Sequence, residues 1–332
     1  MLTSQTLFRP EEFQPRRWLR GAHAQTLAGF FLVRAIQLPE PEARYVEVAT
    51  GVKILCHCHW QSDRSRALTV IIVHGLEGSS DSGYVVGIAD KALKAGMNVV
   101  RVNQRNCGGT DHLAPTLYNS SLSDDLVAIA RNVMQQDQIA RFSLVGFSMG
   151  GNLVLKAAGE WGSKAPREFR SVAAVCPAMD LAASADALHL PANRIYEQYF
   201  VIRLRQRFRS KARLFPTHFD AGRLRGVRTL REFDDRVTAY YCGFAGADDY
   251  YARASASNVV GRVSVPALIL HAGNDPFIRI LPATRAKIAA NPSIAFFESA
   301  DGGHCAFLAE ANGYDGRWAE RQVVEFLRSF QS

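Results

Sequence analysis

The sequence predicts an α/β fold. A mostly parallel central sheet carries helices on both faces, with a helical cap inserted over the sheet's carboxyl edge. Three observations predict it. From residue 44 onward, short apolar runs alternate with amphipathic segments, the rhythm of strand–helix–strand units. The run LTVIIVHG (68–75) is almost continuously apolar, as a strand covered on both faces must be. Between Cys176 and Pro266 lie about ninety helical, aromatic and basic residues without a strong buried-strand run, too many for a structureless loop in a compact domain.

Taken in order, RYVEVAT (44–50) and KILCHCHW (53–60) read as two strands joined at Gly51, and LTVIIV as the third. A helix over 83–96, the strand NVVRV (98–102) and a helix near 122–137 follow. FSLVG (142–146) is a strand and GGNLVLKAAGEW (150–161) its helix; RSVAAVC (170–176) is the next strand. After the insertion come the strand PALILHAG (266–273), a helix over 282–290, the strand SIAFFES (293–299) and a final helix over 316–330. The expected organisation is an extension (1–43) packed on a core made of 44–180 and 262–332, with 181–261 as the cap. RRWLRG (16–21) faintly matches a twin-arginine signal but lacks a following small-residue cleavage site, so it is read as folded extension.

Composition narrows the function. At 48% hydrophobic residues the chain can bury a sizeable core, and no apolar run approaches the roughly 20 residues of a membrane span. The six cysteines lack zinc-finger or disulfide-scaffold spacing, which points to a reduced, cytoplasmic protein. The net charge of +8 is local: residues 203–231 hold ten Lys/Arg and one acid, Asp220. Such a segment either draws an anionic partner, a membrane surface or an acidic substrate, or is a solvated helix face; no nucleic-acid partner is expected.

Four loops carry chemistry. In Gly146-Phe147-Ser148-Met149-Gly150 a strand leads into a tight turn and a helix follows. That context exposes Ser148 as a nucleophile at a helix N-terminus. His74-Gly75-Leu76 follows the buried third strand, so the backbone N–H groups of Leu76 and Met149 are the candidate oxyanion hole. His74 is read as a brace for this loop. Asp275, in HAGNDPFI, is the candidate acid, with Asp180 and Asp301 as competitors. His304, in ESADGGHCAF, is the candidate base, since the order serine, acid, histidine suits this topology. His271 is read as packed. Cys305 has no cysteine near it in sequence and is read as a small packing residue. In CHCH (56–59) strand alternation sends cysteines and histidines to opposite faces, so no metal site is expected there or elsewhere. NQRNCGGTDH (103–112) has no G-K-[ST] and is not a P-loop; it is placed near the pocket rim. No cofactor is called for.

These residues resemble the YheT-like branch of the α/β-hydrolases, related to eukaryotic abhydrolase-domain lipases and yeast medium-chain alcohol acyltransferases. The resemblance runs through AHAQTL, HGLEGSSDSGY, RNCGGT…LYNS, VGFSMGGN, LREFDDRVTA…GFAGADDYY, HAGNDPF and GGHCAF. It implies that Ser148, Asp275 and His304 form a triad. The chain departs from the family pattern at Gly21-Ala22-His23, where Asn-Pro-His is common, and at Arg105-Asn106, where Arg-Gly is common. The expected activity is hydrolysis of small carboxylic esters with short- to medium-chain acyl groups. The alternatives are acyl transfer to an alcohol and a catalytically silent protein that docks on membranes or RNA. The cap aromatics Tyr196, Tyr199, Phe200, Phe208 and Phe215 either line an acyl pocket or form the cap's own core.

Overall fold

The computed structural model describes residues 8–32 and 34–331; the first seven residues of the expected extension, and residue 33, lie outside it. All eight expected strands form: β1 (Glu42–Ala49), β2 (Val52–His59), β3 (Thr69–Val73), β4 (Asn98–Val102), β5 (Phe142–Phe147), β6 (Phe169–Val175), β7 (Ala267–Ala272) and β8 (Ile294–Ser299). They make one sheet in the order β1-β2-β4-β3-β5-β6-β7-β8. The β1–β2 and β2–β4 pairs are antiparallel and the others parallel. β3, β4, β5 and β7 are buried along their whole length, which suits their largely apolar sequences.

Alternate residues of each strand face opposite helical layers. Val70 and Ile72 pack with α2 (Gly83–Lys94) and α11 (Trp318–Arg328). Ile71 and Val73 pack with α3 (Ser123–Asp137) and α4 (Met149–Trp161), and α10 (Pro282–Ala289) adds Ile288 to that side. The chain leaves β3 for β4 on one side and reaches β5 on the other. That reversal opens a crevice at the carboxyl ends of β3 and β5, where open sheets of this kind bind ligands.

Between β6 and β7 the chain is helical: α5 (Leu181–Leu188), α6 (Arg194–Leu214), α7 (Leu230–Phe233), a π-helical turn (Asp234–Ala239), α8 (Tyr240–Cys242) and α9 (Ala247–Ala254). Thr229 and Glu232 close a reciprocal capping box on α7, satisfying two N–H groups that the helix start would leave free. Not all the positive charge of residues 203–231 is solvated. Lys211 is fully buried and donates to the carbonyls of Asp111, at 2.7 Å, and Ala114; burial lowers its pKa to about 8. Among the described residues no helix is long and apolar enough to cross a membrane.

Near the N-terminus, α1 (Ala22–Phe31) lies beside the loop after β8. Gln25 is buried; it donates to the carbonyls of Leu19 and Leu308 and accepts from Leu308 N–H at 2.8 Å.

Candidate active site

Ser148 sits between the last residue of β5 and the first of α4, with φ 53° and ψ −118°. A non-glycine residue there is strained, and its own N–H donates to Val175 O at 3.0 Å. The neighbouring glycine is needed for space: a Cβ on Gly150 would lie 2.4 Å from the carbonyl oxygen of Val73. Met149 opens α4, so its N–H is among those left without an intrahelical acceptor.

The loop after β3 lies across from this turn. Gly75 N–H donates to Tyr84 Oη at 2.9 Å, and Glu77 N–H to Tyr118 Oη at 3.3 Å. Leu76 N–H, between them, has no acceptor among the described residues. His74 is the expected brace. It is fully buried, its Nδ1 donates to Gly75 O at 2.7 Å, and its Nε2 accepts from Gln104 N–H at 3.2 Å. Burial outweighs the Gly75 contact and lowers its pKa to about 4, so it stays neutral. Glu77, which the sequence did not single out, ties this loop to α6. Its carboxylate accepts from Arg207 Nε at 2.9 Å and Nη2 at 3.1 Å, and from Tyr118 Oη at 2.6 Å.

Asp275 and His304 are brought together. His304 Nδ1 donates to Asp275 Oδ2 at 2.7 Å, and Asp275 Oδ1 accepts from the N–H groups of Phe277 and Ile278 at 3.1 and 2.9 Å. Burial opposes ionisation of Asp275, yet the facing His304 charge and hydrogen bond and the Ile278 N–H hold its carboxyl below the usual range. The competing acids are engaged elsewhere: Asp180 accepts from Leu281 N–H and Thr284 Oγ1, and Asp301 from Asn274. His271 is buried, as expected.

The loop bearing His304 rests on α1. His304 N–H donates to Thr26 Oγ1 at 2.9 Å, and a Cβ on Gly303, at φ 58°, would lie 2.7 Å from Ala22 O. This accounts for AHAQTL: Gln25 and Thr26 hold the loop that holds the histidine. Ser148 Oγ and His304 Nε2 do not share a hydrogen bond; Nε2 faces Cys305 Sγ at 3.8 Å. Nucleophile–base hydrogen bonds in unliganded sites are often long and tighten with substrate. Burial disfavours the His304 cation, but the Cys305 sulfur and the Asp275 carboxylate outweigh it and raise its pKa well above the ordinary value. Burial likewise raises the Cys305 thiol, but the Cys176 contact and the His304 charge win and lower it to about 6. Reading Cys305 as an isolated packing residue is therefore corrected: its N–H donates to Cys176 Sγ at 3.4 Å.

A cleft with about 940 Å³ of empty space, part of it open to solvent, runs from Ser148 under the inserted helices. Ser148, Leu76 and Met149 line it with Phe200, Leu204 and Phe208 of α6. The cap aromatics divide. Phe200 and Phe208 face the cleft, Tyr196 bonds to His23 at 2.9 Å, Phe215 packs near Phe219 and Tyr199 points outward, 38% exposed. The connection after β4 reaches the cleft through residues 117–120, and 103–112 do not line it. Cys56 and Cys58 are buried in the core, while His57 meets Ser80 and His59 meets Arg101.

The family model for the alpha/beta hydrolase fold matches residues 69–311. The chain belongs to that family. This α/β-hydrolase is 27% identical to YheT of Escherichia coli (strain K12) over 335 residues, covering 96% of this chain and 94% of that one. It is 29% identical to phospholipase ABHD3 of Mus musculus, covering 97% and 77%. Among solved structures, the Pyrococcus furiosus esterase Pf2001 superposes with a TM-score of 0.57 at 16% identity, covering 90% and 98%. The α/β-hydrolase match starts at β3 and so leaves out α1, although α1 supports the His304 loop.

Proposed function

We propose that the chain is a carboxylic-ester hydrolase in which Ser148, His304 and Asp275 act as a triad on short- to medium-chain acyl groups. The observation that carries the reading is the His304–Asp275 hydrogen bond of 2.7 Å in a loop beside a strained serine at a helix N-terminus. The mouse relative, named a phospholipase, supports the reaction class. His304 takes the Ser148 proton as the oxygen attacks the acyl carbonyl, and the N–H groups of Leu76 and Met149 receive the oxyanion. His304 then protonates the leaving alcohol. A water molecule, deprotonated by His304, attacks the acyl-enzyme and releases the acid. Asp275 fixes the Nδ1–H tautomer and stabilises the imidazolium. Residues 181–261 act as a cap whose Phe200, Leu204 and Phe208 contact the acyl chain.

A panel of esters of graded chain length, run on wild type and Ser148→Ala, tests this. Turnover should peak at short to medium chains and vanish in the variant; unchanged turnover in Ser148→Ala would overturn the mechanism. Ester rather than acid as the main product in the presence of a short alcohol would make the chain an acyltransferase.

We propose as well that the anionic-membrane contact expected of residues 203–231 is made through the outer face of α6, which spans part of that segment. Ile195, Tyr199 and Ile202, spaced i, i+4 and i+7, are 65, 38 and 52% exposed. Arg194, Arg203, Arg209 and Arg213 are exposed along the same helix, and its only acid, Glu197, is buried. An apolar and cationic outer face suits an anionic lipid surface. Wild type should co-sediment with anionic vesicles at low salt, and Ile195→Ser/Ile202→Ser should not; absence of wild-type binding would refute the contact.

A further inference from the structure

Beside the triad lies a cluster that ester hydrolysis does not use. Cys176, at the end of β6, and Cys305, next to His304, bring both sulfurs and a ring nitrogen of His304 within 4.8 Å of one another. Among the described residues this is the one such group of three Cys, His, Asp or Glu side chains. Cys305 Sγ stands 3.8 Å from His304 Nε2. With Zn–S near 2.3 Å and Zn–N near 2.0 Å, neighbouring ligand atoms of a tetrahedral site lie ~3.5–3.8 Å apart, so this edge is already at metal-site spacing.

The rest of the surroundings fits a cation as well. His304 is held through Nδ1 by Asp275, which leaves Nε2 as the donor; metal-binding imidazoles are oriented by a carboxylate in this way. The N–H of Cys305 points at Cys176 Sγ and would stabilise a thiolate. Both cysteines sit in the left-handed region, at φ 43° and 57°. The surrounding chain thus holds two residues in a costly backbone conformation that turns their sulfurs to one spot. Two sulfurs and an imidazole select a soft or borderline divalent cation over calcium or magnesium.

We propose that Cys176, Cys305 and His304 form a three-ligand site for a divalent cation of the zinc class, and that the bound ion switches the hydrolase off by occupying His304 Nε2. Binding displaces the proton that Cys176 directs at Gly303 O and the proton shared by Cys305 and His304 Nε2; both protons go to solvent, and water takes the fourth position. The loss of activity rests on the triad reading, because the ion removes the lone pair that accepts the Ser148 proton. Binding itself does not rest on it.

The experiment therefore reads binding separately from turnover. Cadmium is titrated into the full chain and into Ser148→Ala, and the ultraviolet thiolate-to-cadmium band is followed. One equivalent should produce the band in both proteins. Cys176→Ser and Cys305→Ala should each lose it, with thermal melting confirming that each is folded. In wild type, zinc should inhibit ester turnover, and EDTA should restore it. In either cysteine variant the zinc needed for half-inhibition should rise ~10–100-fold or more. No band at stoichiometric cadmium, or the same band in both cysteine variants, overturns the site. A normal band with zinc inhibition unchanged in the variants overturns the switch. A normal band in a chain that turns over no ester leaves the site standing and sinks the hydrolase reading.

Discussion

Glu77→Gln tests how α6 is fastened to the loop that carries Leu76. The Glu77 side chain is 2% exposed and that of Arg207 15%. Arg207 presents Nε and Nη2 to the two carboxylate oxygens, and Tyr118 Oη adds a third hydrogen bond. Glutamine keeps the shape but removes the charge, and its amide meets a guanidinium N–H donor. Removing one partner of a buried pair costs about 3–5 kcal/mol, because the other charge stays buried without compensation. Unfolding entropy of about 2.1 cal/mol/K per residue gives ~0.7 kcal/mol/K for a chain of this length, so the melting temperature should fall by about 4–7 °C. Turnover should fall too, because the Leu76 N–H loses its support; losing one oxyanion donor altogether costs ~10²–10³ in kcat. Calorimetry with parallel ester kinetics measures both. Arg207→Met on the Glu77→Gln background should recover part of the stability by removing the stranded charge. A drop of less than about 1 °C with turnover intact would refute the clamp.

Asp275→Asn should lower kcat ~10⁴-fold with little change in KM, because the amide favours the wrong imidazole tautomer; activity within tenfold of wild type would sink the assigned role. The base must be neutral to act, and the His304 pKa is raised, so kcat/KM should climb with pH on a limb above the ordinary histidine value of about 6.5. Cys305→Ser removes one cause of that rise and should move the limb to lower pH; an unmoved limb would show that the sulfur does not set the charge of the base.

The strands were legible because β3 to β8 are largely apolar runs bounded by turn residues while β1 and β2 alternate, and β3 and β5 needed no alternation once buried on both faces. Ser148, Asp275 and His304 were legible for a related reason: each follows a recognisable strand, so chain order alone places them at one sheet edge. The contacts between distant loops were not. Glu77 and Arg207 lie 130 residues apart and Cys176 and Cys305 129 apart, and no local period records such pairings. Lys211 reads as one more surface charge until its carbonyl partners are seen. α6 has apolar residues on two faces, so the sequence could not tell which aromatics meet the cleft. AHAQTL was recognisable as a motif, but its reason, the grip of Gln25 and Thr26 on the His304 loop, is purely three-dimensional.

That grip imposes an order in time. Thr26 and His304 are separated by 278 residues, which a ribosome adds in ~14–56 s at about 5–20 residues per second. Throughout that interval α1 exists without the loop it supports, and only β1 to β6 can pair well before His304 is made. The His304 loop thus gains its support only through a long-range contact, when the segment that follows β8 closes back on α1.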